Sequence, residues 1–302
     1  MNPPIRFSGP VKAALDQGRP VVALESTIVT HGMPWPQNFE TAQAVETDVA
    51  DAGATPATIA VFDGHIHIGL TGEQLEMLAK AEKVMKLSRA DMAYALSEGK
   101  TGSTTVAATM MAASLAGIEV FATGGIGGVH QGAETTFDIS ADLAELSLTG
   151  VITVCAGAKA ILDIPKTLEV LETGGVPVIG YGTNVFPAFW SRESTQKAPL
   201  RLDTANAVAN LWKMRQRLGQ QGGMLIGNPV PKTAEIPREE MAGYIRTAID
   251  EASASGISGK NVTPWLLARI VELTEGRSLA TNIALIRHNA RVASEIAVAL
   301  AD

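Results

Sequence analysis

The chain has 302 residues, 46% of them hydrophobic and 18% charged, with a formal net charge of −7 and a single cysteine, Cys155. One cysteine excludes an internal disulfide and any clustered thiols for zinc or an iron–sulfur centre, which fits a cytoplasmic setting. No apolar run approaches the ~20 residues of a membrane span, the start lacks a secretory pattern, and an acidic chain without a basic stripe argues against a nucleic-acid partner.

In chain order, residues 20–24 read as a first strand whose near-continuous apolarity marks burial on both faces. Glu25 follows directly, where ligands gather in such sheets, beyond the carboxyl end of a strand. A carboxylate there is partly desolvated and suited to trading protons; a capping or surface role is the plainer alternative. The proline-broken segment Thr30-His31-Gly32-Met33-Pro34-Trp35-Pro36 comes next, and a helix is predicted over 38–52. A second strand, 57–62, precedes His65 and His67, which share one strand face but lack a third ligand and so read as structural or solvent-facing.

A helix over 72–81 is followed by Lys86, just before a helix with Ser88 as its N-cap. Lys86 can meet a phosphate as a point charge, although an isolated lysine is ordinarily a solvated surface group. Two glycine-rich stretches, 98–105 before a helix over 104–116 and 123–128 after a strand over 118–122, are candidate anion sites because glycine lets main-chain N–H groups approach closely. Neither matches a Walker or dinucleotide loop, and tight turns have the same composition. Asp138 and Asp142 lie four apart; one carboxylate plus waters is a usual way to hold Mg²⁺ or Mn²⁺ near a phosphate, with helix capping by Ser140 or Asp142 as the alternative.

The strand 151–154 leads to Cys155-Ala156-Gly157-Ala158-Lys159 and a predicted helix over 158–171. An amine among small and apolar residues at a strand-to-helix junction is poorly hydrated, which favours the neutral form that attacks a carbonyl and makes a Schiff base. A lysine snorkelling from a surface helix gives the same spacing. A strand at 176–181, a helix over 203–218, a strand at 223–227 and a mostly helical final third complete the pattern, with 191–199 and 232–240 as surface loops. Such alternation implies an α/β fold, a sheet with helices on both faces.

Ala23-Leu24-Glu25-Ser26-Thr27-Ile28 with Thr30-His31-Gly32-Met33-Pro34, Gly53-Ala54-Thr55-Pro56-Ala57-Thr58-Ile59, the runs 123–130 and 137–143, Cys155-Ala156-Gly157-Ala158-Lys159, Gly227-Asn228-Pro229-Val230-Pro231 and 278–285 together resemble the pseudouridine-5′-phosphate glycosidase family, also called indigoidine-synthase-A-like. The resemblance spans nearly the whole chain. It implies one domain over 1–302, a three-layer α/β/α sandwich around a largely parallel or mixed central sheet, and a homotrimer. It further implies a divalent cation, usually Mn²⁺ or else Mg²⁺, and a small-molecule nucleotide substrate, pseudouridine 5′-phosphate, reversibly converted to uracil and ribose 5-phosphate.

By matching motif, the resemblance makes Lys159 the Schiff-base nucleophile, Glu25 the proton donor and Asp138 the metal ligand. Lys86, Val106, Ser140, Ala141 and Asp142 match substrate contacts around phosphate and sugar, and Thr123 and Asn282 match contacts to uracil. The chemistry is coherent: a C–C glycoside has no heteroatom leaving group to protonate, so the two-carboxylate glycosidase route gives little help, whereas an imine at C1′ acts as an electron sink. The readings weighed against it are a sugar or nucleoside kinase, whose phosphoryl-transfer loop is missing, a non-catalytic nucleotide binder, disfavoured by Glu25 and Lys159 together, and a broader activity that includes pigment biosynthesis.

Overall fold

Valine and isoleucine runs that water reaches on neither side line the middle of an eleven-stranded sheet in the computed structural model, which describes residues 3–257 and 262–302. In chain order the strands are β1 Ile5–Phe7, β2 Val21–Leu24, β3 Thr55–Phe62, β4 His65–Ile68, β5 Met85–Leu87, β6 Gly102–Thr104, β7 Val120–Ala122, β8 Ile152–Cys155, β9 Val178–Tyr181, β10 Leu200–Leu202 and β11 Met224–Gly227. The helices are α1 Gly9–Asp16, α2 Gln37–Asp51, α3 Gly72–Lys80, α4 Arg89–Ser97, α5 Val106–Leu115, α6 Ala133–Thr136, α7 Ala141–Leu148, α8 Ile164–Thr173, α9 Ala205–Arg217, α10 Arg238–Ala254, α11 Val262–Leu273 and α12 Arg277–Ala301. A single π-helical turn, Ile28–Gly32, follows β2.

The main path of the sheet runs β1-β4-β3-β2-β7-β8-β11-β9-β10, with β6 joined to β3 and β5 joined to β6. From β3 to β10 along this path every pairing is parallel, while β3 meets β4 and β6 antiparallel, so the sheet is mixed. Helices α2, α9 and α12 pack together on one face and α5 with α4 and α7 on the other, giving the three-layer α/β/α sandwich. β2, β7, β8 and β11 are buried along their whole length, and each Val, Leu or Ile taken fully out of water contributes roughly 1.5–3 kcal/mol.

Topology then places the site. β2 is flanked by β3 on one side and β7 on the other, so the chain steps in opposite directions from it, the arrangement that opens a crevice beyond the carboxyl ends of parallel strands. Leu24 pairs with Ala122 and Ala122 with Val154, which brings the residues after β2, β7 and β8 side by side.

The helix expected from residue 158 begins at Ile164 instead. Gly157 has φ +93°, and a Cβ there would lie 2.1 Å from the Pro187 carbonyl, so the chain turns sharply and close to its neighbour. Asp163 then caps α8 by accepting from Lys166 N at 3.1 Å, with a proline in the first turn. The loop of residues 158–163 is left free to carry Lys159. The stretches 191–199 and 232–240 hold one another: Ser191 Oγ donates to Ile236 O at 2.8 Å and Arg192 N to Glu235 Oε1 at 2.9 Å.

Candidate active site

Glu25 is the first residue past β2 and is half-buried. Thr27 Oγ1 donates to its Oε2 and Thr123 Oγ1, from the first residue past β7, donates to its Oε1. Thr123 is itself fully buried, and its carbonyl accepts from Asn289 Nδ2 of α12 at 2.8 Å. Asn289 Oδ1 accepts from Asn228 Nδ2 at 2.9 Å, and Asn228 N donates to Cys155 O at 2.8 Å. A buried chain of amides therefore ties the Glu25 support to the end of β8, the strand that leads to Lys159.

Lys159 is half-buried, and its main chain is fixed by Lys159 N donating to Ile126 O at 3.1 Å and Leu162 N donating to Lys159 O at 2.9 Å. Its side chain lines a cavity of about 160 Å³ shared with Glu25, Thr27, His31, Lys86 and Asn282. Apolar walls come from Phe189, Leu267, Val271 and Leu285. Asn282 Oδ1 is buried with no hydrogen-bond partner, a cost that a ligand N–H would remove. Phe189 holds a positive φ of 61°, strain of a kind that collects at binding sites. A larger groove of about 650 Å³ beside α10 holds neither lysine nor glutamate.

Val106, Ser140, Ala141 and Asp142 come together outside that lining, where two helices begin. Asp142 is buried; its Oδ1 accepts from Ala107 N in the first turn of α5 at 3.0 Å and its Oδ2 from Gly127 N at 2.8 Å. Ser140 caps α7, its Oγ accepting from Asp142 N at 3.3 Å. A Cβ on Gly127 would fall 2.2 Å from Ser140 Oγ, so this glycine exists for close approach to the α7 start. Lys86 pairs with Ser103 across β5 and β6, and Thr105 N donates to Leu87 O, placing Lys86 beside the start of α5.

The manganese or magnesium expectation is corrected. Asp138 stands exposed on the loop before α7, and among the described residues no group of three or more His, Cys, Asp or Glu converges as a metal site. Asp142, four residues on, gives both carboxylate oxygens to the Ala107 and Gly127 N–H groups and does not join Asp138. Cys155 supplies no nucleophile either, since full burial pushes its thiol up to about 12. His67 is packed edge-on to Phe62, its ring centroid 5.3 Å away.

The sequence did not single out the apolar wall, because Leu267 and Val271 of α11 are remote in sequence from the strand ends they face. Asn289 had a readable signal, a polar residue at a core position between Ile286 and Ala290 of α12, both buried. Among the described residues no helix is long and apolar enough to cross a membrane.

Comparison with known proteins agrees with this geometry. A family model described as indigoidine synthase A like protein matches residues 10–299. The chain is 62% identical to a pseudouridine-5′-phosphate glycosidase of Roseobacter denitrificans over 99% of its own length and 96% of the relative's. It is 61% identical to one of Paracoccus denitrificans, covering all of both chains. Among solved structures it resembles the prealnumycin C-glycosynthase AlnA in complex with ribulose 5-phosphate, with a TM-score of 0.92 and 37% identity over 98% of this chain and 97% of that one. An indigoidine synthase A-like protein of Thermotoga maritima gives a TM-score of 0.88 and 36% identity over 95% and 94%.

Proposed function

The chain belongs to the indigoidine synthase A-like family, and we infer that it cleaves and reversibly forms the carbon–carbon glycosidic bond of pseudouridine 5′-phosphate, with uracil and ribose 5-phosphate as products. The observation that carries this reading is one cavity holding a lysine and a hydroxyl-supported glutamate, in a chain that matches pseudouridine-5′-phosphate glycosidases end to end.

In this proposal Glu25 protonates the ring oxygen of the ribose as the furanose opens, and Lys159 bonds to C1′. The nitrogen lone pair then forms the C1′ iminium as the C1′–C5 bond breaks with its electron pair on uracil C5, and in the reverse direction C5 attacks that iminium. Asn282 Oδ1, buried and without a partner, accepts from a uracil N–H, and the Phe189 ring walls the flat base. Thr123 serves the base side by holding Glu25 in place. Lys86, Val106, Ser140 and Ala141 take the phosphate and sugar end, where two helix starts favour an anion, and Asp142 serves that end by holding the Gly127 loop to the start of α5. The whole chain acts as one domain; a trimeric assembly and a cytoplasmic location belong to the same proposal, and sedimentation equilibrium at three times the chain mass tests the assembly.

The test is release of uracil from pseudouridine 5′-phosphate. The wild-type chain turns it over without ATP, and Lys159→Ala falls to the uncatalysed level. Undiminished release by Lys159→Ala would remove the imine from the mechanism.

A further inference from the structure

We propose that His31 is a further catalytic residue of this site, its Nε2 carrying a proton between the Lys159 amine and uracil C5 while the carbon–carbon bond breaks or forms. The proposal rests on the C-glycoside reading above and supplies a proton route that Glu25 and Lys159 leave open.

The proton balance requires such a route. As the Lys159 N–C1′ bond forms, the C1′–O4′ bond breaks with its electron pair on O4′, which takes one proton from Glu25. When the C1′–C5 bond then breaks, its pair goes to C5 of uracil, which must also take a proton. The amine entered with two hydrogens and the iminium keeps one, so the proton lost at nitrogen equals the proton gained at C5. A base that collects it at one atom and delivers it at the other closes the account with no outside acid. Water then hydrolyses the iminium to the aldehyde of ribose 5-phosphate, returns the neutral amine and gives its surplus proton back to Glu25.

The geometry favours His31 for the transfer. It lies in the π-helical turn Ile28–Gly32 and lines the cavity with Glu25, Lys86, Lys159 and Asn282; single π turns of this kind recur at functional sites. Its Nδ1 is 2.6 Å from Thr30 Oγ1. Thr30 Oγ1 donates to Ser103 Oγ at 2.8 Å, and Ser103 Oγ points its own proton at Met85 O, 3.4 Å away. With its proton so placed, Thr30 accepts from Nδ1–H, and this assigns the tautomer that leaves the Nε2 lone pair unprotonated. Partial burial, and then the charge of Lys86, hold the imidazole below its ordinary value, which favours the neutral ring with a free Nε2 lone pair. Residue 31 is also exposed at the rim, where a small molecule can reach the space it occupies.

The experiment compares wild-type protein with His31→Ala in two assays: uracil release from pseudouridine 5′-phosphate, and borohydride trapping of ribose 5-phosphate on Lys159, which needs no transfer to C5. The expected result is a fall in kcat for release of about 10²-fold or more with trapping unchanged within roughly twofold, and partial recovery of release on adding imidazole. Release near the wild-type rate would assign the transfer to Glu25 and overturn the proposal. Parallel loss of release and trapping, with no recovery by imidazole, would make His31 structural and overturn it as well. A wild-type protein that forms no adduct at all would instead bring down the imine reading beneath it, a distinguishable failure.

Discussion

Glu25 and Asp142 each accept two hydrogen bonds at the same end of the sheet, but from donors of different kinds. Glu25 is held by the hydroxyls of Thr27 and Thr123, Asp142 by the main-chain N–H groups of Ala107 and Gly127. A hydroxyl donates or accepts according to its rotation, so Glu25 can change protonation state without losing its partners. A main-chain N–H only donates, so Asp142 serves as a fixed acceptor that pins the glycine loop after β7 to the start of α5. Chemistry and architecture thus use the same side chain type, separated by what surrounds it.

That contrast can be broken at either end. Glu25→Gln keeps the shape and removes the transferable proton; turnover should fall by about 10²–10⁴-fold while the melting temperature barely moves. Kinetics and thermal unfolding of the same sample check both halves, and equal loss of folding and turnover would make Glu25 architectural. Asp142→Ala should do the reverse, leaving one buried and one partly buried N–H unpaired at a cost of about 2–4 kcal/mol in urea unfolding. A stable Asp142→Ala with lost phosphate affinity would move Asp142 from staple to ligand contact.

A third carboxylate sharpens the comparison. Asp48 of α2 is buried and receives Arg287 Nε at 2.5 Å and Arg291 Nη2 at 2.6 Å from α12. Burial pushes it up, but hydrogen bonds from the two arginines outweigh that and hold it below its ordinary value. A depressed carboxyl contributes stability that is present at neutral pH and lost as pH falls through its folded-state value. Arg287→Ala with Arg291→Ala should therefore cost about 3 kcal/mol at neutral pH, and less in acid, where Asp48 is protonated in both states. Urea unfolding at the two pH values checks the difference, and a pH-independent loss would mean packing rather than charge joins α2 to α12.

Much of this was legible from residues alone. The strands β2, β3, β7, β8, β9 and β11 announced themselves as apolar runs, and Glu25 and Lys159 stood out because they follow such runs. The strands β1, β5 and β10 carry an arginine or lysine at their centre and β6 is Gly-Ser-Thr, so no apolar run marks them, whereas the equally short β7 is Val-Phe-Ala. Lys159 lies on a loop rather than a helix start because Gly157 turns the chain early and α8 waits for the Asp163 cap. The expected metal site failed for a different reason: two aspartates four apart in sequence diverge in space, Asp142 into the protein and Asp138 into solvent. The glycine run 123–128, read as an anion cradle, includes Gly127, which is small so that Ser140 and Asp142 can approach it.

The imine at Lys159 is tested most directly by reducing the protein with borohydride in the presence of ribose 5-phosphate and mapping the modified peptide by mass spectrometry. The sugar phosphate should be found on Lys159 and be absent from Glu25-intact Lys159→Ala protein. Attachment at another lysine such as Lys86, or no attachment, would contradict the account.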